Sequence, residues 1–137
     1  MLKRILALVM CLVLMCGMSI AVSAESGNNQ VQPRYSYTNI VSATLRNSSG
    51  KALCVGDVEG YPGTTTKIVL TMTLQKKTLL LFWGTEKEWT ITVNDYTAAL
   101  SKTVSVDSGT YRVKVEAKVY AGSNYENVDC TSPTREF

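Results

Sequence analysis

The sequence predicts an all-β domain built as two packed antiparallel sheets, and three observations carry that prediction. Residues 111, 113, 115, 117 and 119 read Tyr, Val, Val, Ala, Val, while residues 112, 114, 116 and 118 read Arg, Lys, Glu, Lys. Strict alternation of this kind marks a strand with one buried and one wet face. About seven such short segments follow one another, separated by turn signals at the spacing of a sandwich. Helical periodicity is absent, and β-branched and aromatic residues are frequent. An open barrel is the alternative closure.

In chain order, Tyr35 to Arg46 is the first expected strand, with Val41, Ala43 and Leu45 on one face. Asn47-Ser48-Ser49-Gly50 turns the chain; it also contains a glycosylation sequon, which matters only in a eukaryotic secretory route. Lys51 to Tyr61 is the second strand, with Ala52, Cys54, Gly56 and Val58 inward, and Tyr61-Pro62-Gly63 breaks it. Thr66 to Lys77 is the third, with Ile68, Leu70, Met72 and Leu74 sharing a face. Trp89 to Val93 is strand-like again after the polar run Gly84 to Glu88, and Asn94-Asp95 turns it. Ala98 to Val106 follows with Leu100, Val104 and Val106 in phase; Lys102 spoils the phase and marks a bulge or an edge. Asp107-Ser108-Gly109 precedes the strand Arg112 to Tyr120, Ala121 to Asn124 turns the chain, and Tyr125 to Thr131 is last, with Val128 and Cys130 facing the same way.

The first 24 residues differ from the rest. Lys3 and Arg4 precede a nearly unbroken apolar run from Ile5 to Met15, and Val22-Ser23-Ala24 is a small-residue cleavage signature. That is the layout of a secretory signal peptide, cleaved after Ala24; the run is short for a spanning helix. Neither Cys11 nor Cys16 follows a small residue, so lipidation is not indicated. Residues 25–34 read as a flexible lead and 35–137 as the domain. Of 14 Lys and Arg, Lys3 and Arg4 leave with the signal, so 12 remain against 11 Asp and Glu. A balance this near neutral does not support nucleic acid as a partner. Cys54 and Cys130 stay. Two Cys in a secreted domain most simply form one disulfide, with free thiols or an intermolecular bond as the alternatives.

Asp107-Ser108-Gly109-Thr110-Tyr111-Arg112-Val113 resembles the tyrosine corner of immunoglobulin domains. The resemblance implies a two-sheet antiparallel immunoglobulin-like sandwich and a structural anchor role for Tyr111. It departs from the pattern at Val113, where a Cys is usual, and in lacking the third-strand Trp, whose volume falls to Leu70 or a neighbour. With Cys54 on the second strand, the resemblance leaves Cys130 as its disulfide partner. More broadly, Gly50 to Cys54, Gly63 to Ile68, Leu74 to Lys77 and Ser108 to Val113 are similar to motifs of small secreted proteins of Gram-positive bacteria, a family without an assigned activity.

The chain has no His, which removes Ser-His-Asp and Cys-His catalysis and the commonest metal ligand. Two Cys cannot build a zinc cluster, and no Gly-rich phosphate loop precedes a helix. Asp57 with Glu59, and Glu86 with Glu88, are the carboxylate pairs that glycoside hydrolysis or calcium would need; the bland reading, a solvated strand face, outweighs it. No catalytic residue, metal or cofactor is therefore expected. Tyr35, Tyr37, Tyr61, Trp83, Trp89 and Tyr120 lie on strands or near turns, where exposed aromatics bind glycans or proteins and single ones fill cores or edges.

Leu79-Leu80-Leu81-Phe82-Trp83 breaks the alternation. A sandwich strand buries one face, so this run puts out either Leu80 and Phe82 or Leu79, Leu81 and Trp83. Either another segment covers them or the chain crosses between sheets there, or they form an exposed patch flanked by Lys76, Lys77, Glu86 and Lys87. The candidate binding residues are Leu80, Phe82, Trp83 and Trp89. The expected function is that of a secreted, extracellular, non-catalytic module binding an unknown protein or glycan at the cell surface, without a stable membrane span. A secreted toxin, antimicrobial or inhibitor is the alternative, and a glycan-acting enzyme ranks third.

Overall fold

The computed structural model describes residues 34–137. The expected signal peptide, its cleavage point and all of the lead but Arg34 lie outside the described residues. Eight strands form two antiparallel sheets. The first joins β1 (Thr38–Ser48), β2 (Lys51–Gly60) and β5 (Thr97–Val104) in the order β1-β2-β5. The second runs β4 (Phe82–Val93), β3 (Lys67–Thr78), β6 (Thr110–Ala121), β7 (Asn124–Thr131), and the short β8 (Arg135–Glu136) pairs with the start of β6. This is the expected immunoglobulin-like sandwich. In the constant-type immunoglobulin arrangement the fourth strand in sequence completes the first sheet; here β4 pairs with β3, which makes β3–β4 a hairpin. Among the described residues no helix is long and apolar enough to cross a membrane.

The alternating residues do form the core. Ala52, Cys54 and Val58 on β2, Ile68, Leu70, Met72 and Leu74 on β3, and Tyr111, Val113, Val115 and Val119 on β6 are all essentially inaccessible. Where β2 crosses the other sheet, Gly56 faces Val115 and Met72: a Cβ there would lie 2.7 Å from Val115 Cγ2. The sheets therefore approach more closely at that point than any side chain on β2 would permit.

Tyr111 closes the end of the sandwich as the corner motif implied. Its hydroxyl donates to the carbonyl of Asp107 at 2.8 Å. Phe137 meets its ring edge-on, with centroids 5.7 Å apart, and exchanges two 3.0 Å backbone hydrogen bonds with Gly109. β8 was not expected; two residues are too few for a periodicity.

Two boundaries moved for physical reasons, and one ambiguity is resolved. Tyr35 to Tyr37 precede β1 instead of opening it, held by the Glu126 carboxylate, which accepts from the Ser36 and Tyr37 amides at 2.8 and 2.7 Å. β4 starts at Phe82, not Trp89, because an edge strand with little cover tolerates the polar run Gly84 to Glu88. Lys102 marks an edge and not a bulge: β5 is the outer strand of its sheet and pairs with β2 in unbroken register.

The expected Cys54–Cys130 disulfide is not formed; both are free thiols. Cys54 lies on the central strand of its sheet, whereas Cys130 lies on β7, the edge of the other, which packs against β1 and not β2. Both side chains take inward phases, as the pattern indicated, but on strands that are not opposite one another.

Two substitutions test this packing by denaturant melts. Gly56→Ala is expected to cost about 1–3 kcal/mol, the usual effect of overpacking a close contact. Tyr111→Phe should cost about 1 kcal/mol for one hydrogen bond, and Tyr111→Ala about 3–5 kcal/mol for the lost ring. Wild-type stability in all three would contradict the packing described.

Candidate functional site: the β3–β4 hairpin tip

Leu74 is the last buried residue of β3, yet the strand runs on to Thr78. Beyond Lys76, whose partner on β6 is the buried Tyr111, the hairpin leaves the sandwich. The ladder continues as Lys76 opposite Gly84, Lys77 opposite Trp83 and Thr78 opposite Phe82, and Leu79-Leu80-Leu81 close it. A three-residue connection normally uses turn chemistry, with Gly or Asn at positive φ. Here Leu79 takes φ 49°, a conformation costing a non-glycine residue roughly 1–2 kcal/mol. Leu79, Leu80 and Leu81 are 84%, 87% and 83% exposed and Phe82 is 65% exposed. Neither solubility nor turn geometry calls for these residues, so local rules are broken here without gain to the fold, as happens at functional sites.

The rim below the tip is cationic and aromatic. The Arg112 guanidinium lies over the Trp83 ring, 4.2 Å from its centroid, and Arg112 Nε donates to Gln75 Oε1 at 2.7 Å. Lys76 Nζ lies 5.6 Å from the centre of the Tyr111 ring, tying the hairpin base to the corner. Lys77 is exposed. A register slip between Leu74 and Gln75 leaves Glu86 as an extra residue in β4, the bulge at which the hairpin departs from the sandwich edge.

Of the four sequence-derived binding residues, the structure places Leu80 and Phe82 at the tip and Trp83, half-buried under Arg112, in the rim just beneath it. Trp89 is separate: it pairs with Met72 and packs against the core. The period-2 choice between two outward sets does not apply, because residues 79–81 are turn and not strand, and every apolar side chain from Leu79 to Phe82 faces water. Arg112 was missed as a site residue. Its alternation placed it on the outer face of β6, but only the pairing of β6 with β3 puts it beside Gln75 and Trp83.

The other candidate chemistry is dispersed. Asp57 accepts from Ser42 Oγ at 3.5 Å, Glu59 from Asn39 Nδ2 at 3.3 Å and Glu88 from Thr73 Oγ1 at 3.4 Å, so these carboxylates are engaged by strand neighbours. None of them lines the shallow cavity of about 530 Å³ on the outer face of β3, β6 and β7, which Val69, Lys114, Glu116, Lys118 and Asp129 border. Lys114 and Glu116 form an ion pair there at 2.9 Å. Among the described residues no cluster of three or more His, Cys, Asp or Glu is placed to hold a metal ion.

Burial in the core pushes the Cys54 thiol up from the ordinary 9.0 to about 11. No family model and no curated protein matches the chain. Two crystal forms of wild-type OgpA from Akkermansia muciniphila align with 74% and 77% of it at 12% and 11% identity, with TM-scores of 0.40 and 0.39. The chain spans about 30% of the length of that protein in one and 32% in the other.

Two outcomes follow. Leu80→Ser with Phe82→Ser should leave the melting temperature within a few degrees of wild type, as surface substitutions do; a large drop would show that the tip is packed. The Cys54 shift makes stability pH-dependent. Below pH 9 the thiol is protonated in both states and its contribution is full; between 9 and 11 the unfolded chain ionises first, and about 2–3 kcal/mol is lost. Melts from pH 8 to 11 should show that extra decline in wild type relative to Cys54→Ala, and equal slopes would contradict it.

Proposed function

We propose that this protein is a secreted, non-catalytic sandwich module that binds at a cell surface and makes its contact through the β3–β4 tip. One observation carries this: four consecutive apolar side chains stand 65–87% exposed on a hairpin that projects past the last core residue. Large apolar groups gathered outside a core are what an interaction site requires. The signal-like N-terminus and the near-neutral mature charge support an extracellular, non-nucleic-acid role, as does the resemblance to small secreted Gram-positive proteins. The lack of His and the dispersed carboxylates support a binding role over catalysis.

The test is retention. Mature protein added to producing cells or to their isolated envelopes should sediment with them, and the Leu80→Ser, Phe82→Ser variant should stay in the supernatant while remaining folded. Equal retention of both would contradict the tip as the contact. Free diffusion of the wild-type protein would favour the toxin, antimicrobial or inhibitor alternative.

A further inference from the structure

The tip's shape and surroundings select among partners. A standard protein interface buries ~800 Å² on each side, and a convex turn of three leucines and one phenylalanine offers less than that unless a pocket encloses it. The shallow cavity on a second copy would not serve, since Lys114, Glu116, Lys118 and Asp129 border it. A fluid apolar phase needs no matching pocket.

The charge distribution has the matching polarity. Strand connectivity places the β1–β2 turn, the β3–β4 tip, the start of β6 and β8 at one end of the sandwich. Lys51, Lys76, Lys77, Arg112 and Arg135 lie at that end, with Glu86, Asp107 and Glu136 as the opposing charges. Glu59, Asp95 and Glu126 lie towards the other end, where Lys67 and Lys118 balance them. Directly behind the apolar tip comes Trp83, stacked under Arg112. Apolar tip, then indole and cations, is the depth order that lipid presents in reverse: acyl chains, then the interfacial belt where Trp concentrates, then phosphates.

We propose that the partner of this site is an anionic lipid surface. Leu79 to Phe82 enter the headgroup–acyl boundary, Trp83 rests at the interface, and Lys76, Lys77 and Arg112 meet lipid phosphates. This deepens the surface-binding reading and rests on it. Interfacial apolar segments sit ~5–10 Å deep, about the height of two to three strand residues at ~3.4 Å each. Entry stops there because the open backbone groups of the turn need water or headgroups, which hydrocarbon does not supply. The sandwich stays outside the bilayer.

The experiment uses the mature protein with vesicles of phosphatidylglycerol and phosphatidylcholine, and of phosphatidylcholine alone, read by co-flotation and by tryptophan emission. Binding to the anionic vesicles with a blue shift is expected. Leu80→Ser with Phe82→Ser should weaken it by about tenfold or more, and Lys77→Gln by about fivefold. Trp83→Phe should remove most of the blue shift, because Trp89 is half-buried against the core and away from the tip. Absence of binding to anionic vesicles, or binding insensitive to the double substitution, would overturn the lipid assignment. If the double substitution abolishes retention on cells while wild type ignores vesicles, the surface reading stands and the partner is a protein or glycan. A tip-dependent dimer in sedimentation without vesicle binding would overturn it in favour of a second copy.

Discussion

The sandwich depends on the contact between β2 and β6 at Gly56. Two sheets each bury one face, and the layer between them is filled by Ile68, Leu70, Met72, Leu74, Val113 and Val115. Val115 reaches across to β2 where Gly56 has no side chain, and Met72 lies beside it. Because interiors are close-packed, an added methyl there must be absorbed by moving a sheet. Tyr111, bonded to Asp107 and covered by Phe137, then seals the layer at the tip end.

Where that layer ends, the hairpin begins to matter. Had the fourth strand crossed to the first sheet, residues 79–82 would lie in a crossing between the sheets. Because β4 pairs with β3, the two strands support one another past the core and hold the turn in water. Arg112 and Lys76 fasten the base of the hairpin, one to Trp83 and Gln75, the other to the Tyr111 ring. A stable fold and an apolar projection thus coexist without competing: the core ends at the level of Lys76 and Tyr111, and the tip lies beyond it.

Much of this was legible from period-2 alternation. It located the inward faces of β2, β3 and β6 residue by residue, and the corner resemblance pointed to Tyr111 as an anchor. Alternation fails where its premise fails. β4 lies at an edge with little cover, so Gly84 to Glu88 carry no one-sided pattern and read as loop. Leu79 to Leu81 form a turn with apolar residues in place of Gly or Asn, so they read as strand. The disulfide expectation used the correct facing of Cys54 and Cys130 but required β7 opposite β2, a matter of strand order that no single strand encodes. Arg112 escaped for the same reason: its role comes from which strand lies beside β6.

The central claim is that a rigid sandwich holds Leu79 to Phe82 in water. Amide hydrogen exchange of the mature protein at micromolar concentration measures this directly. Amides of residues 68–74 and 113–119 should exchange only through global unfolding, while those of residues 79–82 exchange with little protection. Protection of residues 79–82 equal to that of the β3 and β6 core would contradict the account.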